Sequence, residues 1–196
     1  MTVSAFGAVV KVKNDRLAVS DNLHKENGVY VFEWQEDEWG NPFELKAPNQ
    51  HLFGVFGNTI EIFNEYILVG SKESMVMGNE GHVFIYELKE NWELIYTLSS
   101  PDNPYNFGDG FGQAIYARDN LIVICSPFAE ETIGGACYIY QFKNEKWSIS
   151  KINQDSFEAT FFGTSIAVEK DIMVIGAQFS DTKQSPYAGT IYIYEK

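Results

Sequence analysis

The side chains best able to do chemistry in this 196-residue chain are few and dispersed. Cys125 closes an apolar run and Cys137 opens a Tyr-rich one, so the pair flanks a single predicted hairpin. Non-hydrogen-bonded partners in an antiparallel ladder lie about 4.5 Å apart at Cα, a separation a disulfide can span. Two readings stand: a cross-strand disulfide, implying an oxidising compartment, or two small buried core residues. Asp102, Asn103, Asn106 and Asp109 bring oxygen ligands together at irregular spacing. They read either as a cation site, with Asp102 and Asp109 as its carboxylates, or as Asx turns around the bend at Gly108 and Gly110. His24, His51 and His82 occupy unrelated places, and the sequence contains no H-E-x-x-H, G-x-S-x-G or phosphate loop. GNEG (78–81) and FGDGFG (107–112) are glycine-rich, but neither leads into a helix that could hold a phosphate. Glu130 and Glu131 could in principle serve as acid and base for glycoside chemistry, yet adjacent loop carboxylates read more simply as solvated. The expectation is a protein that is not an enzyme.

The elements that position these residues are set by an internal repeat. Phe-Gly pairs stand at Phe6-Gly7, Phe56-Gly57, Phe111-Gly112 and Phe162-Gly163. Fourteen residues after each Phe come Ser20, Gly70, Cys125 and Gly176, each closing an apolar run. A turn-rich stretch follows, then VYVFE (29–33), VFIYE (83–87), CYIYQ (137–141) and IYIYE (191–195). Trp39, Trp92 and Trp147 follow the first three of these segments at near-constant spacing. Each unit therefore holds about four strands, and the fourth unit stops before any Trp strand. The second and third strands are apolar at consecutive positions, so both sheet faces must be covered. Blades packed around an axis provide that cover, as does a flat sandwich of two meanders.

The expected fold is all-β: a β-propeller of four-stranded antiparallel blades, four repeats with the last incomplete. It forms a single domain over 1–196, with repeats at about 6–55, 56–110, 111–161 and 162–196. A ring of four blades closing on itself is slightly preferred. A longer propeller, or two chains pairing into a larger ring as a homodimer, also fits.

Composition narrows the partners. Apolar residues make up 45% and aromatics 15%, a globular and strand-prone mixture. The formal net charge is −13 and no basic patch interrupts it, so nucleic acid and anionic membranes are expected to be repelled. The N-terminal residues lack a secretory pattern and no apolar run is long enough to insert in a bilayer. The expectation is a soluble chain, cytosolic or cut from an exported protein.

Phe-Gly, an apolar strand ending in Gly, and then a Gly-initiated Tyr-Ile-Tyr-Glu strand resemble the FG-GAP repeat of integrin α chains and many bacterial surface proteins. The resemblance is strongest in FGTSIAVEKDIMVIGAQ (162–178) with GTIYIYE (189–195). The Gly-Ala-Pro part of that pattern survives only as Gly176-Ala177 and as Ser126-Pro127. The resemblance implies a propeller and an adhesion-like role, with a partner met on the face that carries the long loops. It also implies a calcium-binding DxDxDG loop between the first two strands. Here those hairpins are two-residue turns, too short to wrap an ion, so calcium is possible but unsupported and no cofactor is expected. The long loops run over 21–27, 40–55, 71–80, 99–110, 126–134 and 177–188. Their candidate contact residues are Phe43, His51, Tyr105, Phe107, Asp109, Phe128 and Tyr187. A non-catalytic module binding a protein partner is the preferred reading. A lectin-like propeller binding a glycan through the loop aromatics is the alternative, followed by a hydrolase or lyase using loop carboxylates.

Overall fold

The computed structural model describes residues 5–21, 28–46, 48, 54–73, 81–102, 108–129, 134–153, 161–181 and 185–195. Four antiparallel sheets follow one another along the chain as the blades of a β-propeller. The first holds β1 (Phe6–Lys13), β2 (Arg16–Asp21), β3 (Gly28–Gln35), β4 (Glu38–Trp39) and β5 (Phe43–Lys46). The second holds β6 (Gly54–Phe63), β7 (Tyr66–Glu73), β8 (His82–Leu88) and β9 (Trp92–Ser99). The third is β10 (Ala114–Arg118), β11 (Leu121–Ser126), β12 (Ala136–Lys143) and β13 (Lys146–Asn153). The last is the three-stranded β14 (Phe162–Glu169), β15 (Ile172–Ala177) and β16 (Thr190–Glu195).

Within each blade the strands pair in chain order, because two-residue turns fix the first hairpin. Asn14, Asn64, Asp119 and Lys170 begin these turns with φ between 46° and 52°. Asn and Asp tolerate this left-handed backbone better than most residues, which accounts for three of the four. The Phe-Gly pair shifts the register between β1 and β2, between β6 and β7, and again between β14 and β15. Each shift is a bulge that bends the innermost strand.

The blades are joined through that bulge. Neighbouring blades meet along their first strands, β1 beside β6, β6 beside β10 and β10 beside β14. Gly57 has φ +85, and a Cβ there would lie 2.8 Å from Ser20 Cβ and 3.1 Å from Val29 Cγ2 of the preceding blade. A Cβ on Gly112 would meet Val83 and His82, and one on Gly163 would meet Cys125 and Cys137. The glycine thus allows each blade to seat its Phe-Gly against the second and third strands of the blade before it. Three buried clusters fill the joints so made. Val29, Val31, Phe56, Ile60 and Ile62 belong to the first, and Val83, Ile85, Phe111 and Tyr138 to the second. Cys125, Cys137, Phe162 and Ile175 belong to the third. Burying each large apolar side chain there contributes about 1.5–3 kcal/mol, so the joints carry much of the stability.

Two features differ from the sequence reading. The fourth strand of the first blade is broken, its Trp part reduced to β4, and β5 completes the sheet against β3. Phe43 therefore lies on a strand rather than in a loop. Its neighbour Leu45 explains why: it pairs with Val29 and is buried, so the segment alternates inward and outward. The ring is also not sealed as the preferred closure required. Among the described residues, the outer faces of β1 and β16 remain exposed instead of forming a fourth joint.

Candidate binding face

The hairpins between second and third strands open on the same face as the connections between blades. On this face the chain around Asp109 is tightly held. Asp109 is buried; its Oδ1 accepts the Phe111 N–H at 3.0 Å, an Asx turn that launches the third Phe-Gly. Its backbone carbonyl accepts the Ser126 hydroxyl at 3.0 Å and the Phe128 N–H at 2.9 Å. Its Oδ2 is buried with no hydrogen-bond partner among the described residues. Gly110 then lets the Phe128 ring lie against the main chain, since a Cβ there would come within 2.7 Å of Phe128 Cδ2. Asp109 and Gly110 together set the position of Phe128.

From Phe128 an aromatic run crosses the joint between the third and fourth blades. Its ring centroid lies 5.3 Å from that of Phe161, edge to face, and Phe161 lies 5.2 Å from Phe179 in the same manner. This is the favoured geometry for paired rings, and it leaves Phe179 partly exposed. Phe161 and Tyr187 have φ of 47° and 54°. Every other described non-glycine residue with positive φ sits in a two-residue hairpin turn. A bulky residue in this region carries backbone strain, and such strain gathers where a side chain is held out for contact. Tyr187 is held partly by its N–H, which donates to Asp181 Oδ1 at 2.7 Å, and its side chain is exposed.

The remaining sequence candidates fall out as follows. Asp102 lies 3.4 Å from Lys151 Nζ in an ion pair, whereas Asp109 is enclosed by its own loop. No group of three or more His, Cys, Asp or Glu side chains converges among the described residues. Phe43 belongs to the outer strand β5, and His51, Tyr105 and Phe107 lie outside the described residues. Phe161 and Phe179 escaped the sequence reading. Only the fourth unit doubles the Phe before its Phe-Gly, and that doubling was the available signal for Phe161.

Cys125 and Cys137 are Cα partners 4.0 Å apart and are joined as a disulfide. They occupy the position held by Ser20–Val29, Gly70–Val83 and Gly176–Ile191 in the other blades, directly beneath Gly163. The crosslink therefore stiffens the socket on which the fourth blade sits. Nearby, Tyr138 accepts a hydrogen bond from the Ser100 hydroxyl at 3.2 Å. Burial pushes its phenol pKa up, and Tyr86 and Tyr140 are raised for the same reason.

The opposite face carries the tight hairpins and one polar cleft of about 520 Å³ between the first two blades. Arg16 fills its floor. Its guanidinium lies 5.4 Å above the Trp92 ring, bonds Glu65 Oε2 at 2.7 Å and donates to the Asn64 carbonyl. These contacts, with an ion pair to Glu33 at 3.8 Å, clamp the two blades.

The sheets and their joints define a four-blade β-propeller whose last described blade has three strands. Residues 153–194 match the FG-GAP repeat family. No curated protein matches the chain in sequence. Among solved structures it is similar to the Bombyx mori GH32 beta-fructofuranosidase BmSUC1, at 13% identity and a TM-score of 0.47. That match covers 95% of this chain and 47% of the other, so the chain spans about half the length of that protein. No helix among the described residues is long and apolar enough to cross a membrane.

Proposed function

We propose that this propeller is a non-catalytic module that binds a protein partner through its long-loop face, an adhesion-like role of the integrin type. The aromatic run Phe128–Phe161–Phe179 carries the reading, because it lies across two blades on that face and ends in a partly exposed ring. Aromatic anchors with rigid supports dominate the energetics of protein interfaces. The exposed Tyr187, held at φ 54°, supports the same reading; Phe161 shares its positive φ with Gly110, which precedes the third Phe-Gly, and there a bulky ring stands in place of a glycine. Affinity capture by the intact chain, compared with Phe179→Ser and Tyr187→Asn, tests it. Each variant is expected to weaken partner binding by about tenfold or more while leaving the thermal midpoint almost unchanged. Capture unaffected by both would refute the reading. The exposed Tyr187 ring also suits a sugar face, and a glycan array separates that alternative: specific glycan signals lost in Tyr187→Asn would replace the protein partner with a carbohydrate.

A further inference from the structure

The three joints of the propeller are built from the same two halves, and each end of the chain carries one half uncovered. The donor half is the Phe-Gly strand. In the second blade its Ile60 and Ile62 are 4% and 2% exposed, and in the third blade Ile115 and Ala117 are 7% and 0% exposed. The equivalent residues of β1, Val10 and Val12, are 58% and 61% exposed. Gly7 has the φ of its counterparts, +91, but a Cβ there would meet nothing within 4 Å.

The acceptor half is the pair of strands on which that donor rests. Val29 and Val31 of β3, like Val83 and Ile85 of β8, are buried beneath the next blade. Their equivalents on β16, Ile191 and Ile193, are 64% and 59% exposed. The recess for a Phe-Gly is nevertheless present. In the second blade, a Cβ on Gly70 would fall 2.5 Å from the Gly112 carbonyl, and one on Gly81 would fall 2.3 Å from that of Phe111. The fourth blade keeps glycine at both places, as Gly176 and Gly189, where the nearest atoms belong to its own blade. Together with Thr164, Ser165, Gln178 and Ile191 they line a cavity of about 540 Å³.

We propose that the β1 edge of a second copy of this chain docks on the β15–β16 face, seating its Gly7 over Gly176 and its Val10 and Val12 over Ile191 and Ile193. The occupant follows from complementarity. The face is shaped for a Phe-Gly strand, and each chain exposes one such strand as well as one such socket. Two copies exchanging both halves form two identical joints, so both the β1 strand and the β15–β16 face of each chain become covered. The net charge of −13 on each chain opposes the approach, so association strengthens as salt is raised to physiological ionic strength.

Sedimentation velocity from low to high micromolar concentration tests this, together with amide exchange over β1 and β16. The expected result is a reversible monomer–dimer equilibrium, with protection of both strands rising as dimer forms. Val10→Asp with Val12→Asp, and separately Ile191→Asp with Ile193→Asp, should each weaken association by at least about tenfold. These side chains are exposed in the single chain, so the monomers should retain their circular dichroism and thermal midpoint. Three results would overturn the proposal: a monomer at every concentration, a dimer indifferent to both double variants, or a monomer whose β1 and β16 amides are already protected by closure on itself.

Discussion

The joint glycines allow the packing between blades to be weighed against backbone strain. Gly7 and Gly112 share nearly the same conformation, with φ of +91 and +87, so an alanine at either incurs a common backbone cost of about 1–2 kcal/mol. The loss of unfolded-chain freedom on replacing Gly is also common to both. Their surroundings differ. At Gly7 the new methyl group enters open space, whereas at Gly112 it comes within 2.9 Å of Val83 Cγ2, 3.1 Å of the His82 carbonyl and 3.4 Å of Gly70 Cα. Two of these three neighbours are main chain and cannot rotate away. Overpacking of this kind adds about 1–3 kcal/mol. Gly7→Ala should therefore lose about 1–2 kcal/mol and Gly112→Ala about 2–5 kcal/mol. Urea unfolding followed by Trp fluorescence, at a concentration low enough to keep the chain monomeric, reads both values by linear extrapolation. Gly163→Ala provides a second joint variant, because its Cβ would come within 2.8 Å of Cys125 Cβ in a crosslinked pair. Equal losses at Gly7 and at both joint positions would show that the glycines serve only the bulge, and the account of the joints would fail.

Three further outcomes are expected. Replacing both Cys125 and Cys137 with Ala should cost about 2–4 kcal/mol, read by urea unfolding, while thiol titration of the denatured native chain should find no free thiol. Lys170 begins its hairpin turn at φ 52 where the other blades use Asn or Asp, so Lys170→Asn should raise stability by about 0.5–1 kcal/mol in the same assay; a loss would contradict the turn argument. Tyr86, Tyr138 and Tyr140 have folded pKa values raised chiefly by burial. The unfolded chain therefore releases these protons first: their contribution is complete below about pH 10 and declines as pH rises from there through the higher folded values. Phenolate absorbance should show these tyrosines titrating only with unfolding at strongly alkaline pH, and free titration of all 11 near pH 10 in the folded chain would refute it.

The blade was legible in the sequence because it is local and repeated. Phe-Gly, the apolar run and the Tyr strand recur in register, and each pairs with its neighbour through a short connection. β5 was hidden because Gly40, Asn41 and Pro42 read as a loop, and only the burial of Leu45 against Val29 turns the following residues into a strand. The uncovered seam was legible only as an alternative to a ring closing on itself. Whether Val10 meets Ile191 depends on the angle accumulated over four blades, which no short stretch of residues encodes. The long-loop face was legible as loop length, yet its aromatic run was seen only in part. Phe128 stood out as an unrepeated loop aromatic, whereas Phe161 and Phe179 were not singled out. The place of Phe161 in the run depends on a ring contact between residues 33 positions apart, Phe128 and Phe161.

The proposed function rests on the long-loop face being where a partner sits, and site-directed photo-crosslinking tests that most directly. A photoreactive aromatic in place of Phe179 reports on the long-loop face, and one in place of Trp147 reports on the tight-hairpin face. Both positions are exposed and on opposite faces of the propeller, so neither substitution should disturb the fold. The account predicts a discrete protein adduct from position 179, lost when Tyr187 is also changed to Asn, and none from position 147. Adducts from position 147 alone, or from both faces equally, would contradict it.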